Sequence, residues 1–241
     1  MTIFELKLFA VLFMVIDHIA MYFGNMPPLH TAAHFMRMIG RLSFPLFLFC
    51  LAQGYRHTRS RKRYLLRLYL MSLVMTGIMY CAGDSYGNHN IFLTMFWVGV
   101  LISLIELLQS DFRKGCIACC LFAAAQSAVI QLDGLLFPTL NGDITCGLLL
   151  NPHHCEYGLP YVILGVLMYF LWERRSEFCA MYIVFALLEF CNADVQFLII
   201  FALPLILRYN GERGRSMKWF FYLFYPAHTL LLYWLSTILA G

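Results

Sequence analysis

Residues 3–23, IFELKLFAVLFMVIDHIAMYF, decide the fold class. The run is apolar over the ~20 residues that an α-helix needs to cross a bilayer, and it does not alternate apolar and polar residues as barrel strands do. It lacks a short apolar region followed by a small-residue cleavage site, so we expect it to be retained as a membrane span. It nevertheless contains an acid and a histidine, Asp17 and His18, where polar side chains are costly.

The whole chain has the composition of an integral membrane protein. Of its 241 residues, 61% are hydrophobic and 12% are charged, whereas soluble domains average about 45–50% and about 25%. The sequence predicts one domain, residues 1–241, folded as an all-α polytopic transmembrane helix bundle of about nine spans, with a range of about 8–10. The predicted spans are roughly 3–23, 36–55, 64–82, 91–109, 115–132, 158–172, 177–191, 195–208 and 217–239.

The distribution of Lys and Arg predicts the orientation, because cytoplasmic loops carry an excess of both. Loops 56–63, 111–115, 172–177 and 208–218 are basic, whereas loops 24–34, 81–90, 132–158 and 191–194 contain no Lys or Arg. This alternation predicts a cytoplasmic N-terminus. The net charge of +4 is thereby assigned to membrane orientation rather than to nucleic-acid binding.

Ionisable residues inside the first two predicted spans form the candidate site, since an intramembrane charge is a functional-site hypothesis by default. Arg37 and Arg41 lie four residues apart, on one helix face. At about 1.5 Å per residue, Asp17, His18 and Arg41 all lie roughly 9 Å below the outer surface. We expect Asp17 to pair with Arg41, which leaves His18 to titrate near neutral pH. The alternative is a structural ion pair beside a packed histidine, although buried ion pairs stabilise poorly.

Further polar residues gather in the predicted outer loops and in the last span. They are Asp84, His89, Asn90, Glu156, Tyr157 and His228. His228 follows Pro226 in the last span and either packs or lines the site. The run HHCE (153–156) could suggest a metal, but four adjacent residues cannot easily surround one ion, so we predict no metal site. The loop before Gly158 has apolar pieces that could form a partial helix dipping back into the membrane.

The cytoplasmic loop RYNGERGR (208–215) is a candidate phosphate site. Glycine lets backbone approach a ligand closely, and the arginine fork matches phosphate geometry. Ordinary positive-inside charge is the alternative interpretation. The candidate residues are Arg208, Asn210, Arg213 and Arg215, with Arg56 and Arg63 from the basic loop 56–63.

Several motifs taken together resemble the TraX family. They are DHI in the first span, IGRLSFPLFLFCLAQGYRHT in the second, and then EYG, RYNGERG and FYLFYPAH, in the same order over nearly the whole chain. In this sequence Glu156 stands where the family tends to have Asp. TraX proteins are membrane acetyltransferases associated with N-terminal acetylation of conjugative pilin. The resemblance therefore implies a multi-pass protein of the bacterial inner membrane that takes acetyl-CoA from the cytoplasm.

The resemblance also implies roles for the candidate residues. His18 would act as a base or be acetylated itself, oriented by Asp17 or Glu156, while Arg41 or Arg37 would stabilise the oxyanion. The cytoplasmic arginines would hold acyl-CoA. The outer polar residues and His228 would meet the acceptor, an amine or alcohol on a small molecule or a pilin-like peptide. A secondary transporter or proton-coupled carrier and a non-catalytic assembly factor are the alternatives, and an oligomer is possible.

Overall fold

The computed structural model describes residues 1–27, 29–137, 141–152, 155–192 and 195–240. Over these residues the chain is helical and contains no β-strand, which confirms the predicted all-α class. The helices are α1 Ile3–Phe23, α2 His30–Gly40, α3 Ser43–Arg56, α4 Arg61–Ala82, α5 Ile91–Ser110, α6 Phe112–Leu136, α7 Gly142–Leu149, α8 Gly158–Leu171, α9 Arg175–Cys191, α10 Leu203–Leu207 and α11 Lys218–Ala240, with 3-10 segments Asp84–Tyr86 and Val195–Ala202. The histidines of the HHCE run lie outside the described residues.

Within the described residues, four helical segments are long and apolar enough to cross a membrane. They are His30–Arg56, Arg61–Ala82, Ile91–Ser110 and Phe112–Leu136, and two shorter apolar helices are Gly158–Leu171 and Val195–Leu207. The chain is therefore a membrane protein by the length and composition of its helices. The count of nine spans and the cytoplasmic N-terminus remain predictions.

The second predicted span, 36–55, is broken in the middle. Helix α2 ends at Gly40, and α3 begins at Ser43 after a turn at Arg41. Pro45 accounts for the break, because it lacks the N–H that would bond the carbonyl of Arg41 in a continuous helix, whereas the first turn of a new helix tolerates proline. The break places Arg41 at the end of α2, beside α1.

The chain divides into two compact units, the first comprising Met1–Gln53 and Phe170–Gly241. In this unit the start of α1 is held by the loop 208–214. The Ile3 and Phe4 N–H groups donate to the carbonyls of Glu212 (2.9 Å) and Arg213 (3.2 Å). These are first-turn donors that have no partner inside the helix. Gly214 has φ +67°, and a Cβ there would lie 2.7 Å from Thr2 Oγ1, so the close approach requires glycine.

Helices α1 and α11 run parallel in the same unit. Lys7 Nζ lies 5.0 Å from the Phe221 ring centroid near their starts, and the Tyr22 and Tyr233 rings are 6.1 Å apart toward their ends. His18 and His228 meet between these two contacts. These two helices therefore point in the same direction.

The second unit, Gly54–Tyr169, packs α4 against α5 and the short helix α7 against α4. Asn90 caps α5 by accepting the Leu93 N–H (3.3 Å), and its amide donates to Ser72 O (3.2 Å) and Thr76 Oγ1 (3.1 Å). A Cβ at Gly147 would lie 2.0 Å from Thr76 Oγ1, so glycine permits α7 to contact α4. Helix α7 is the partial helix that the sequence predicts, and its insertion into the membrane remains a prediction.

Candidate functional site

Two histidines from α1 and α11 are joined in the first unit. His18 Nδ1 lies 2.8 Å from His228 Nε2, and both residues are buried, at 7% and 8% exposed. The two rings are inclined by only 4°, with centroids 4.9 Å apart. An N–N distance this short is below the contact distance of face-stacked rings, so the imidazoles meet edge to edge, as a hydrogen bond requires.

The neighbours of His228 determine which ring nitrogens carry protons. His228 Nδ1 lies 2.9 Å from the Phe224 carbonyl, and since a carbonyl only accepts, this nitrogen must donate. In the neutral ring Nε2 is then the acceptor, and it receives the proton on His18 Nδ1. In the neutral pair, His18 therefore carries its proton on Nδ1, and the lone pair of its ring is on Nε2.

Beside His18, Asp17 holds the two arginines that the sequence places at its level. Arg37 Nη1 lies 2.7 Å from Asp17 Oδ2, and Arg41 Nη2 lies 3.0 Å from Asp17 Oδ1. Gly40 makes this approach possible, because a Cβ there would lie 2.2 Å from Asp17 Oδ1. The ion pair predicted between Asp17 and Arg41 is present, and Arg37 joins it.

Two guanidiniums therefore share one carboxylate in this cluster. The Arg41 side chain is 9% exposed and the Arg37 side chain is 36% exposed, so Arg41 is the buried cation. Arg41 donates to Asp17 Oδ1 and, through Nε, to the Arg37 carbonyl at 3.1 Å. A guanidinium has five N–H donors, so Arg41 retains donors beyond these two bonds.

The predicted outer residues lie in the second unit, where they support its fold. Asp84 accepts from the Asn141 amide (3.0 Å), and His89 is buried with its ring 4.8 Å from that of Tyr86. The backbone carbonyl of Glu156 accepts from the Thr94 hydroxyl (2.6 Å). Tyr157 has φ +66°, an uncommon conformation that a non-glycine residue adopts at some cost. Asn90 is the cap of α5 described above. That Glu156 or Tyr157 serves the histidine pair remains a prediction.

The predicted cytoplasmic residues divide into two groups. Arg208, Asn210, Arg213 and Arg215 are on the loop that holds the start of α1, with exposed or nearly exposed side chains. Arg56 and Arg63 belong to the second unit. The Arg56 guanidinium lies 4.9 Å from the Tyr169 ring and donates to the Tyr169 carbonyl. The Arg63 side chain is exposed, and its backbone N–H donates to the Ser60 cap.

Neither a metal site nor a disulfide is found in the described part of the chain. No three His, Cys, Asp or Glu side chains come together there, with the first two residues of HHCE not described. None of the nine cysteines, all of which lie in the described residues, forms a disulfide. Burial raises the pKa of the Cys155 thiol, which keeps that sulfur protonated and poorly reactive.

Comparison with known proteins decides the family. The family model described as TraX protein matches residues 4–141 and 144–236. The chain belongs to the TraX family. A relative of this TraX chain from Dichelobacter nodosus, named "Probable fimbrial assembly protein FimC, serogroup H1", is 26% identical over 250 residues, covering 95% of this chain and 93% of its own length. No solved structure matches.

Proposed function

We propose that this TraX protein is a membrane acetyltransferase that processes pilin or fimbrial subunits, moving an acetyl group from cytoplasmic acetyl-CoA to an acceptor amine. The observation that carries the proposal is the His18–His228 pair, whose hydrogen bonds put the proton of the neutral His18 ring on Nδ1. The preceding residue on α1, Asp17, holds Arg41. A base next to a cation is what acyl transfer to an amine needs.

His18 acts as the general base in this proposal. An attacking amine must lose a proton as its nitrogen bonds to the acyl carbon, and His18 Nε2 accepts that proton. The positive charge then rests on the imidazole whose Nδ1–H bonds to His228 Nε2. His228 therefore acts as a positioning residue, because it fixes both the tautomer and the orientation of the His18 ring. It takes the orienting role that the family resemblance implies for Asp17 or Glu156.

Arg41 is the candidate for stabilising the oxyanion. It is buried, it is fixed by Asp17 and by the Arg37 carbonyl, and its remaining N–H groups are donors that need no reorganisation during the reaction. Asp17 positions this guanidinium. The positive charge of Arg41 would stabilise the negative oxygen that develops on the acyl group.

The loop 208–215 suits the anionic head of acetyl-CoA. Its one acid, Glu212, accepts from the Asn210 amide (3.0 Å) rather than from an arginine. Among the described residues, Arg208, Arg213 and Arg215 form no ion pair with a carboxylate. Bound acetyl-CoA would supply the acetyl thioester, whose carbon exchanges its bond to sulfur for one to the acceptor nitrogen while the acceptor's proton ends on sulfur.

The family and the relative support the acceptor class proposed here. TraX proteins are associated with pilin acetylation, and the Dichelobacter nodosus relative is named as a fimbrial assembly protein. The N-terminal amine of a pilin-like peptide is an acceptor consistent with both pilin acetylation and fimbrial assembly. Its pKa near 7.7–8.0 in peptides leaves a useful neutral fraction at neutral pH.

Labelled acetyl-CoA tests the proposal. Purified protein in nanodiscs is mixed with [14C]acetyl-CoA and a peptide bearing a pilin N-terminus, and label on the peptide is counted for the wild type and His18→Ala. The control is His34→Ala, which removes an exposed histidine of α2. We expect loss of at least about 100-fold for His18→Ala, typical of general-base removal, and none for the control. Equal labelling by His18→Ala, or solute flux without acetyl-CoA turnover, would overturn the proposal.

A further inference from the structure

Lys7 is a cation that the site described above does not use. It lies one turn inside α1, is half-buried, and its ammonium sits over the Phe221 ring. Arg213 lies in the loop 208–214, which is hydrogen-bonded to the start of α1. Among the described residues, no carboxylate forms an ion pair with Lys7 or with Arg213.

Two cations on neighbouring segments, with no acid paired to either, would favour an anion between them. The loop 208–214 produces this juxtaposition, because the Arg213 carbonyl accepts from Phe4 N–H in the first turn of α1. A lysine that only served membrane orientation would extend into water at the helix end, with its stem covering apolar surface. Lys7 instead has its ammonium against an aromatic face, about one turn along α1 from Phe4, whose N–H bonds to the Arg213 carbonyl.

The position of Lys7 relative to His18 indicates which anion fits. The two residues are 11 positions apart on α1, which at ~1.5 Å and ~100° per residue gives about 16 Å of rise and only about 20° of rotation. They therefore share one face of the helix. The same holds on α11, where Phe221, which contacts Lys7, and His228, which contacts His18, are separated by about two turns.

We infer that Lys7 and Arg213 form the subsite for a phosphate group of the acyl-CoA donor, and this inference rests on the proposed acetyl transfer. The pantetheine arm between the pyrophosphate and the thioester is roughly 15–20 Å long, matching the rise of about 16 Å between Lys7 and His18. A phosphate bound at Lys7 would therefore allow the thioester to reach His18 along the contact between α1 and α11. A lipid phosphate is also an anion, but lipid binding does not require the rise of about 16 Å between Lys7 and His18.

Binding measurements in nanodiscs of phosphatidylcholine test the subsite without relying on turnover. The ligands are CoA and pantetheine, which has the same thiol arm and no phosphate. The variants are Lys7→Gln, Lys7→Arg and the control Lys114→Gln, which removes an exposed lysine paired with Asp111. We expect Lys7→Gln to weaken CoA binding about tenfold or more, in keeping with the loss of a charged hydrogen bond. Pantetheine binding should not change, and Lys7→Arg and the control should resemble the wild type.

Three results would overturn the inference. They are unchanged CoA affinity in Lys7→Gln, an equal loss of pantetheine affinity, or an effect of Lys7→Gln that appears only when phosphatidylglycerol is added, which would identify a lipid site. Wild-type protein that binds no CoA under any of these conditions would overturn the proposed function as well. CoA binding that is normal in Lys7→Gln overturns the subsite alone.

Discussion

Replacing Asp17 by Asn removes one charge from the buried cluster and leaves Arg41 without its counter-ion. Removing one partner of a buried ion pair typically costs ~3–5 kcal/mol. The amide of the substituted side chain would still offer an oxygen to Arg41, and Arg37 is 36% exposed and can be solvated. We therefore expect a loss near the lower limit, about 3 kcal/mol in the free energy of unfolding.

A double-mutant cycle with Arg41→Gln separates the ion pair from other effects of the substitution. The double variant Asp17→Asn/Arg41→Gln lacks both charges. Its loss in free energy of unfolding should be smaller than the sum of the two single-variant losses by about 1–3 kcal/mol. Unfolding in mixed detergent micelles, followed by circular dichroism, provides the four free energies. A coupling below about 0.5 kcal/mol would refute the argument, because it is within the additivity expected of independent sites.

Three further predictions concern close contacts and thiol reactivity. Gly40→Ala places a Cβ 2.2 Å from Asp17 Oδ1. It should therefore lower the free energy of unfolding by about 1–3 kcal/mol and reduce acetyl transfer. Unchanged activity would contradict the position of Asp17. Gly214→Ala should lower the thermal midpoint more than Gly211→Ala, because both have positive φ but only a Cβ at 214 meets Thr2; equal midpoints would contradict the loop contact. Cys155 should react with maleimide at pH 8 at least about tenfold more slowly than exposed Cys81. Burial raises the pKa of the Cys155 thiol and so lowers its thiolate fraction. Mass spectrometry of both sites measures the two rates.

The charged half of the candidate site follows from the sequence. Few charged residues lie within the predicted spans, and a charge in a membrane needs a partner. Asp17, Arg37 and Arg41 therefore had few possible partners other than one another. Counting residues from the outer ends of the two consecutive spans then placed these side chains at about the same depth below the outer surface. The break at Arg41 carried a signal in Pro45, which marks the first turn of a new helix rather than the interior of a span.

The histidine pair could not be predicted in the same way. His18 and His228 are 210 positions apart, and no local pattern specifies which distant helix packs beside α1. Two signals were available. They were the Tyr and His residues present in both the first and the last predicted span, and the equal direction that the predicted odd number of spans would give these two helices. The role of loop 208–214 in holding the start of α1 was also missed, because backbone hydrogen bonds leave no mark on side-chain composition.

The central claim is that His228 keeps the proton of His18 on Nδ1 and leaves Nε2 as the base. Nitrogen-15 spectra of histidine-labelled protein in nanodiscs measure this directly, with His18→Ala and His228→Ala assigning the signals. At pH 8 we predict that the His18 ring carries its proton on Nδ1, with Nε2 unprotonated and hydrogen exchange at Nδ1 faster in His228→Ala. A His18 ring with its proton on Nε2 would contradict the account.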